Sequence, residues 1–203
     1  PTAGGKAANL GELVRAGFPV PDGFVVTTDA YAMVIQPLDL NIPERIAAGE
    51  GPSVRANIET ASMPTDLRTE IANAYAALGT GPVAVRSSAT AEDLPGAAFA
   101  GQQDTYLNVV GEEAVVDAVQ RCWGSLWTER AIAYRSRIKI DSADVRIAVV
   151  VQRMINAEVA GVMFTADRSA AIAKRSWSTH RADSQRRAVA RRAAGLMAML
   201  ALS

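Results

Sequence analysis

Short runs of apolar, β-branched residues recur along this chain, separated by longer stretches whose apolar residues follow helical spacing, and that alternation restricts the fold most. Five runs read as strands: Phe24 to Thr28, Pro82 to Arg86, Thr105 to Val110, Arg146 to Gln152 and Ala160 to Thr165. Leu10, Leu13 and Val14 share one face of a helix that follows the Gly4-Gly5 turn. A second helix begins at Asp29 to Tyr31, with Thr28 or Asp29 as its cap. Leu67, Ile71, Ala74, Tyr75 and Leu78 mark a third, which Gly79 ends. Residues 112–134 read as one long helix with Val115, Val119, Cys122, Trp123, Leu126 and Trp127 as its buried stripe. Residues 37–64, rich in turn formers, read as a surface connection with short helical pieces. The alternation predicts a mixed α/β (α+β) architecture.

A chain of 203 residues that is 49% hydrophobic can bury a core and fits one domain with room for an appendage. Aromatic residues make up 5%, so Ala, Val, Leu and Ile must supply most of the packing. The single cysteine, Cys122, rules out an internal disulfide framework and suits a reducing, cytoplasmic setting. It lies in a helix-like stretch with no neighbouring His, so a buried structural thiol is expected rather than a nucleophile. No apolar run reaches the roughly 18 residues of a membrane span, and no signal peptide is visible. The zero net charge conceals two unlike parts. Through Asp167 there are 13 Lys/Arg against 20 Asp/Glu, and from Arg168 onward 8 against 1. That reversal predicts a domain over residues 1–167 and a basic, Ala/Arg-rich tail over 168–203.

Residues 86–105 carry the strongest chemical signal. A strand ends in Arg86, clustered Ser and Thr (Ser87, Ser88, Thr90) follow, and a glycine turn precedes Thr105. A planar guanidinium, hydroxyls and loop N–H groups together suit polyphosphate. Gly101 would let the backbone approach a phosphate where a Cβ would obstruct it. An ordinary polar loop with a structural Arg–carboxylate pair fits these residue types equally well. Gly4-Gly5-Lys6 lacks the spacing of a P-loop, although a helix N-terminus with a flexible Lys suits an anion. Taken alone, a solvated Lys accounts for it.

Several longer motifs resemble one family in sequence and in order. Gly4-Gly-Lys-Ala-Ala-Asn-Leu-Gly-Glu-Leu13 and Gly17-Phe-Pro-Val-Pro-Asp-Gly-Phe24 are similar to the opening of the ATP-binding domain of dikinase-type phosphotransferases. That group contains phosphoenolpyruvate synthase and pyruvate phosphate dikinase. Val85-Arg-Ser-Ser-Ala-Thr-Ala-Glu-Asp-Leu-Pro95, Phe99-Ala-Gly-Gln102 and Thr105-Tyr-Leu-Asn-Val109 resemble its central signature. Leu126-Trp-Thr-Glu-Arg-Ala131, Val149 to Met154 and Ala160 to Asp167 continue the resemblance, which covers most of residues 4–167.

The resemblance implies an ATP-grasp-like fold, of which this chain would be the first subdomain, with ATP held between two α/β subdomains. It implies that Lys6 and Arg86 contact phosphates, that Gly101 and Thr105 form the phosphate-side loop, that Thr90 helps bind the nucleotide, and that Gln152 lies near the adenine with Met154 beside it. In such enzymes the β-phosphoryl passes to a histidine on a swivelling domain, then to pyruvate or another acceptor, leaving AMP. Rifampicin phosphotransferases share the same first domain and act on an antibiotic hydroxyl.

After Asp167 the family pattern, a Pro, a turn, an apolar strand and Gly-Leu-Gly-Glu, does not continue. The acidic residues that hold Mg²⁺ in the second subdomain and the carrier-histidine domain are absent, so the chain alone is expected not to complete transfer. A separate chain carrying those parts is the expected partner. His180, in Ser178-Thr179-His180, reads as a tail histidine and not as the carrier. The Arg186-Arg187 and Arg191-Arg192 pairs lack interleaved aromatics, so a solvated helix face fits them better than nucleic-acid binding. Loss of pattern together with charge reversal points to a frame shift near residue 168.

Overall fold

The computed structural model describes residues 2–89, 104–141, 145–157, 163–164 and 178–179. Four strands make one antiparallel sheet: β1 (Gly23–Val26), β2 (Val83–Ala89), β3 (Thr105–Val109) and β4 (Ile147–Arg153), in the order β1-β4-β2-β3. Two inner strands therefore come from distant parts of the chain. Strand β2 is buried at all seven positions and β4 at its first six. Both faces being covered accounts for the apolar runs Val83 to Val85 and Ile147 to Val151, and the polar residues these strands carry, Arg86, Ser87, Ser88 and Gln152, are buried as well. A small pairing of β5 (Met163–Phe164) with β6 (Ser178–Thr179) stands apart.

Helices lie on both faces of the sheet, most of them on one. The chain supplies α1 (Gly4–Arg15), α2 (Thr28–Ile35), α3 (Ile42–Ala47), α4 (Gly51–Glu59), α5 (Thr65–Ala77), α6 (Glu112–Gly124) and α7 (Glu129–Arg137). Val26, Val83, Val85, Ala89, Ile147, Val149 and Val151 pack beneath Val54, Ile58, Ile71, Tyr75, Val119 and Trp123. Each large aliphatic side chain removed from water here contributes about 1.5–3 kcal/mol before the entropy of ordering it is counted. Between β2 and β3 the register slips. Val85 faces Tyr106 but Val83 faces Val109, and Asn108 takes φ +57° within the bulge. Asn tolerates that left-handed conformation better than most residues.

The mixed α/β expectation holds, and several local expectations change. Residues 37–64 are more than a surface connection, since α4 lies within them and buries Val54 and Ile58 at 0% exposure. The long helix of residues 112–134 is broken. Helix α6 ends at Gly124, a 3-10 turn spans Ser125–Trp127, and Thr128 adopts ψ 146° before α7 starts. The six residues named as the buried stripe are nevertheless all buried. The cap of α2 is Thr27 rather than Thr28 or Asp29: its side chain accepts from the Ala30 N–H at 3.5 Å. Strand β2 runs on to Ala89, so Arg86 stands mid-strand and not at a strand end. No helix among the described residues is long and apolar enough to cross a membrane.

Candidate functional site

The other face of the sheet gathers the residues singled out in the sequence. Side chains alternate along a strand. With Val83, Val85 and Ala89 facing the helical core, Ala84, Arg86 and Ser88 must face the opposite way. Arg86 stands opposite Val150 on β4 and opposite Thr105 on β3, while Gln152 stands opposite Ala84. Arg86, Thr105 and Gln152 therefore share one face. Arg86 and Gln152 are diagonal neighbours, a relation that puts Cα atoms roughly 7–8 Å apart.

Helix α1 lies across this face. Ala7 and Leu10 pack with Val150 and are flanked by Ala3, Val20 and Val25. The first turn of the helix is seated on Ser88. Its hydroxyl donates to the Ala3 carbonyl at 3.2 Å and accepts from the Ala7 N–H at 3.4 Å. A Cβ built on Gly4 would meet the Ser88 carbonyl oxygen, so only glycine permits this approach. Lys6 occupies that first turn, two residues from Gly4, and Arg86 lies two residues from Ser88 on the same face of β2. The structure thus brings Lys6, Arg86, Thr105 and Gln152 to one side of one sheet. Thr90 and Gly101 lie outside the described residues.

Each member is fixed differently. Arg86 is 3% exposed and Gln152 5%. The Gln152 amide donates to the Pro21 carbonyl at 3.0 Å, which ties β4 to the segment before β1 and sets the orientation of the amide. Met154 lies just past β4, and its backbone N–H donates to Pro82 at 2.9 Å. Two cationic side chains near the N-terminal turn of a 12-residue helix make a setting that favours an anion. Among the described residues no group of three or more His, Cys, Asp or Glu gathers to hold a metal ion. Cys122 is fully buried, and burial, reinforced by the negative charge of Asp104, pushes its thiol up. That is the behaviour of a structural thiol.

Sequence reasoning missed two parts of this arrangement. Ser88 was one hydroxyl among several, and its role as the seat of α1 follows only from the strand register. Asp104 was not singled out at all, yet its carboxylate accepts from Arg55 Nη2 and from the Tyr106 hydroxyl, both at 3.2 Å. Burial first, then the charge of Asp104, raises the Tyr106 phenol well above its ordinary range. Alternation in Asp104-Thr105-Tyr106 was the available signal: if Thr105 faces a ligand, its two neighbours face the helices.

The family described as pyruvate phosphate dikinase, AMP/ATP-binding domain, matches residues 1–193. A phosphoenolpyruvate synthase of Aeropyrum pernix is 47% identical over 184 residues, covering 81% of this chain and 22% of the relative. A probable phosphoenolpyruvate synthase of Archaeoglobus fulgidus is 51% identical over 183 residues, covering 81% and 24%. A rifampicin phosphotransferase of Streptomyces sviceus is 49% identical over 178 residues, covering 81% and 20%. The chain spans between 20% and 24% of the length of these three curated relatives.

Proposed function

Because this chain belongs to the pyruvate phosphate dikinase AMP/ATP-binding domain family, we propose that the α1-covered face of its sheet is the nucleotide platform of a phosphoenolpyruvate synthase-like phosphotransferase. Lys6 and Arg86 contact the phosphates, Thr105 lies on the phosphate side with Thr90 and Gly101, and Gln152 lies toward the adenine with Met154 as its apolar neighbour. Two fixed cations offset the charge that develops on the β- and γ-phosphoryl groups as transfer proceeds, an effect that is large where water is excluded. In the complete reaction the β-phosphoryl passes to a carrier histidine and then to pyruvate, and ATP ends as AMP. Mg²⁺ accompanies ATP in this reading. The histidine and acceptor domains are supplied outside these residues, in a cytoplasmic setting that suits one buried thiol.

The observation that carries this reading is the seating of α1 on Ser88, which places the turn bearing Lys6 beside the strand face bearing Arg86. Calorimetric titration of the 203-residue chain with Mg-ATP tests it. Lys6→Met and Arg86→Met, each checked for cooperative unfolding, are expected to weaken binding by tenfold or more, about 1.4 kcal/mol. Unchanged affinity in both variants, or a folded parent chain that binds no nucleotide, would refute it.

A rifampicin phosphotransferase-type acceptor is the second reading. Identities of 49% to that relative and 47% to a phosphoenolpyruvate synthase leave the two acceptors evenly matched. Phosphoryl transfer to pyruvate against transfer to the antibiotic, assayed with the complete protein, separates them.

A further inference from the structure

Arg55 lies on α4, across the sheet from Arg86, and nothing in its local sequence suggests a part in nucleotide binding. We propose that it is a positioning residue for the phosphate end of the platform, acting through Asp104 on Thr105; this rests on the nucleotide reading above.

Four contacts converge on Asp104. Its carboxylate accepts from Arg55 Nη2 and from the Tyr106 hydroxyl. Its backbone carbonyl is approached by the Ser87 hydroxyl at 3.4 Å and the Cys122 thiol at 3.9 Å. Residue 104 is therefore held from α4, α6, β2 and β3 at once. Arg55 is itself held on its other side, with Nε 2.7 Å from Glu59 on the same helix. A Cβ on Gly124 would come within 2.7 Å of Glu59, so the glycine that ends α6 leaves space for that carboxylate. Arg121 completes the group, its guanidinium lying 4.3 Å from the centre of the Tyr106 ring.

The consequence follows from strand geometry. Asp104 and Tyr106 project to the helical face and Thr105 between them projects to the face of Arg86, opposite which it pairs. Anchoring residues 104 and 106 fixes the peptide planes on both sides of Thr105 and so sets where its hydroxyl stands relative to the guanidinium. Groups that grip a ligand must be held to within about 0.5 Å. An ion pair of which each member is about one-third exposed adds little to stability, roughly 0–1 kcal/mol. Its larger effect is on register and height.

The test compares Arg55→Met, Arg55→Lys and Asp104→Asn in the 203-residue chain, titrated with Mg-ATP and with AMP. Arg55→Met is expected to weaken ATP binding roughly fivefold to tenfold. AMP affinity should stay unchanged, Asp104→Asn should follow Arg55→Met, and Arg55→Lys should recover most of the loss. Amide exchange at Thr105 should quicken in Arg55→Met while exchange in β4 does not. If ATP affinity survives in folded Arg55→Met but falls in Arg86→Met, the nucleotide reading stands and the positioning role is wrong. If ATP and AMP weaken together, Arg55 is merely structural. If the folded parent chain binds neither nucleotide, both readings fall.

Discussion

Gly4 and Ser88 meet so closely that a Cβ on Gly4 would stand 2.1 Å from the Ser88 carbonyl oxygen, and Gly4 holds φ +70°. Both facts exclude a side chain at the point where α1 touches β2. Gly4→Ala should therefore lift the first turn of α1 off the sheet and lower stability by about 2–4 kcal/mol, strain and overpacking together. A second change, Ser88→Ala, should give no rescue: it removes Oγ at 2.5 Å but leaves the nearer obstruction, the backbone carbonyl oxygen, in place. Urea unfolding of the single and double variants checks this. A Gly4→Ala chain as stable as the parent would mean that α1 docks in another way.

Arg135 should be more useful removed than kept, as far as stability is concerned. It is 1% exposed, its three guanidinium nitrogens have no hydrogen-bond partner among the described residues, and its guanidinium carbon lies 5.0 Å from the centre of the Trp127 ring. Burial brings its pKa down to about 10, with the charge of Tyr31 acting in the opposite direction. The folded state therefore holds this proton less tightly than the unfolded chain does. The resulting cost is fully present below pH 10 and is relieved as pH rises from about 10 toward the ordinary value of 12.5. At pH 7, Arg135→Met is expected to stabilise by ~1–3 kcal/mol after the lost ring contact is deducted. Chemical denaturation at pH 7 reads this directly, and a lower midpoint in the variant would contradict it.

The two threonine caps should differ. Thr128 accepts from the Ala131 N–H at 3.2 Å, whereas Thr27 accepts from Ala30 at 3.5 Å. Thr128→Ala should cost about 1 kcal/mol and Thr27→Ala distinctly less. Thermal midpoints of the two variants rank them, and the reverse order would show that distance at the cap is not what decides.

Much of the sheet could be read from the chain because its inner strands are short, apolar and bounded by polar or turn residues; β2 and β4 were located in this way. Burial of Cys122 and of both neighbouring tryptophan sites followed from helical spacing alone. The break after Gly124 did not. The 3-10 turn keeps Trp123, Leu126 and Trp127 turned to the same interior, so the apolar spacing continues across a real helix end. Thr128 before Glu129 was the cue, an N-cap ahead of an acidic first turn. Residues 37–64 read as a surface connection with short helical pieces, yet Pro43 and Pro52 sit in the first turns of α3 and α4, where proline starts a helix. Thr27, Thr28 and Asp29 are all residue types that cap helices, so residue type alone did not single out Thr27.

The candidate site was legible only in part, and for a different reason. Lys6 and Arg86 stand out as residue types, but the contact that unites them is made by Ser88 and Gly4. Arg55 is 49 positions from Asp104 in sequence and on the opposite face from Thr105, so no local pattern connects them.

The strand order has a consequence for how this protein comes into being on the ribosome. Strand β4 is the last of the four to be made, yet it lies between β1 and β2, and the Gln152–Pro21 bond joins positions 131 apart. Until β4 emerges, β1 has no neighbour and β2 has only β3. Contacts of such long range close slowly. The nascent chain must therefore carry β1 unpaired, and β2 with one open edge, until β4 is made, and the face that seats α1 is completed only then.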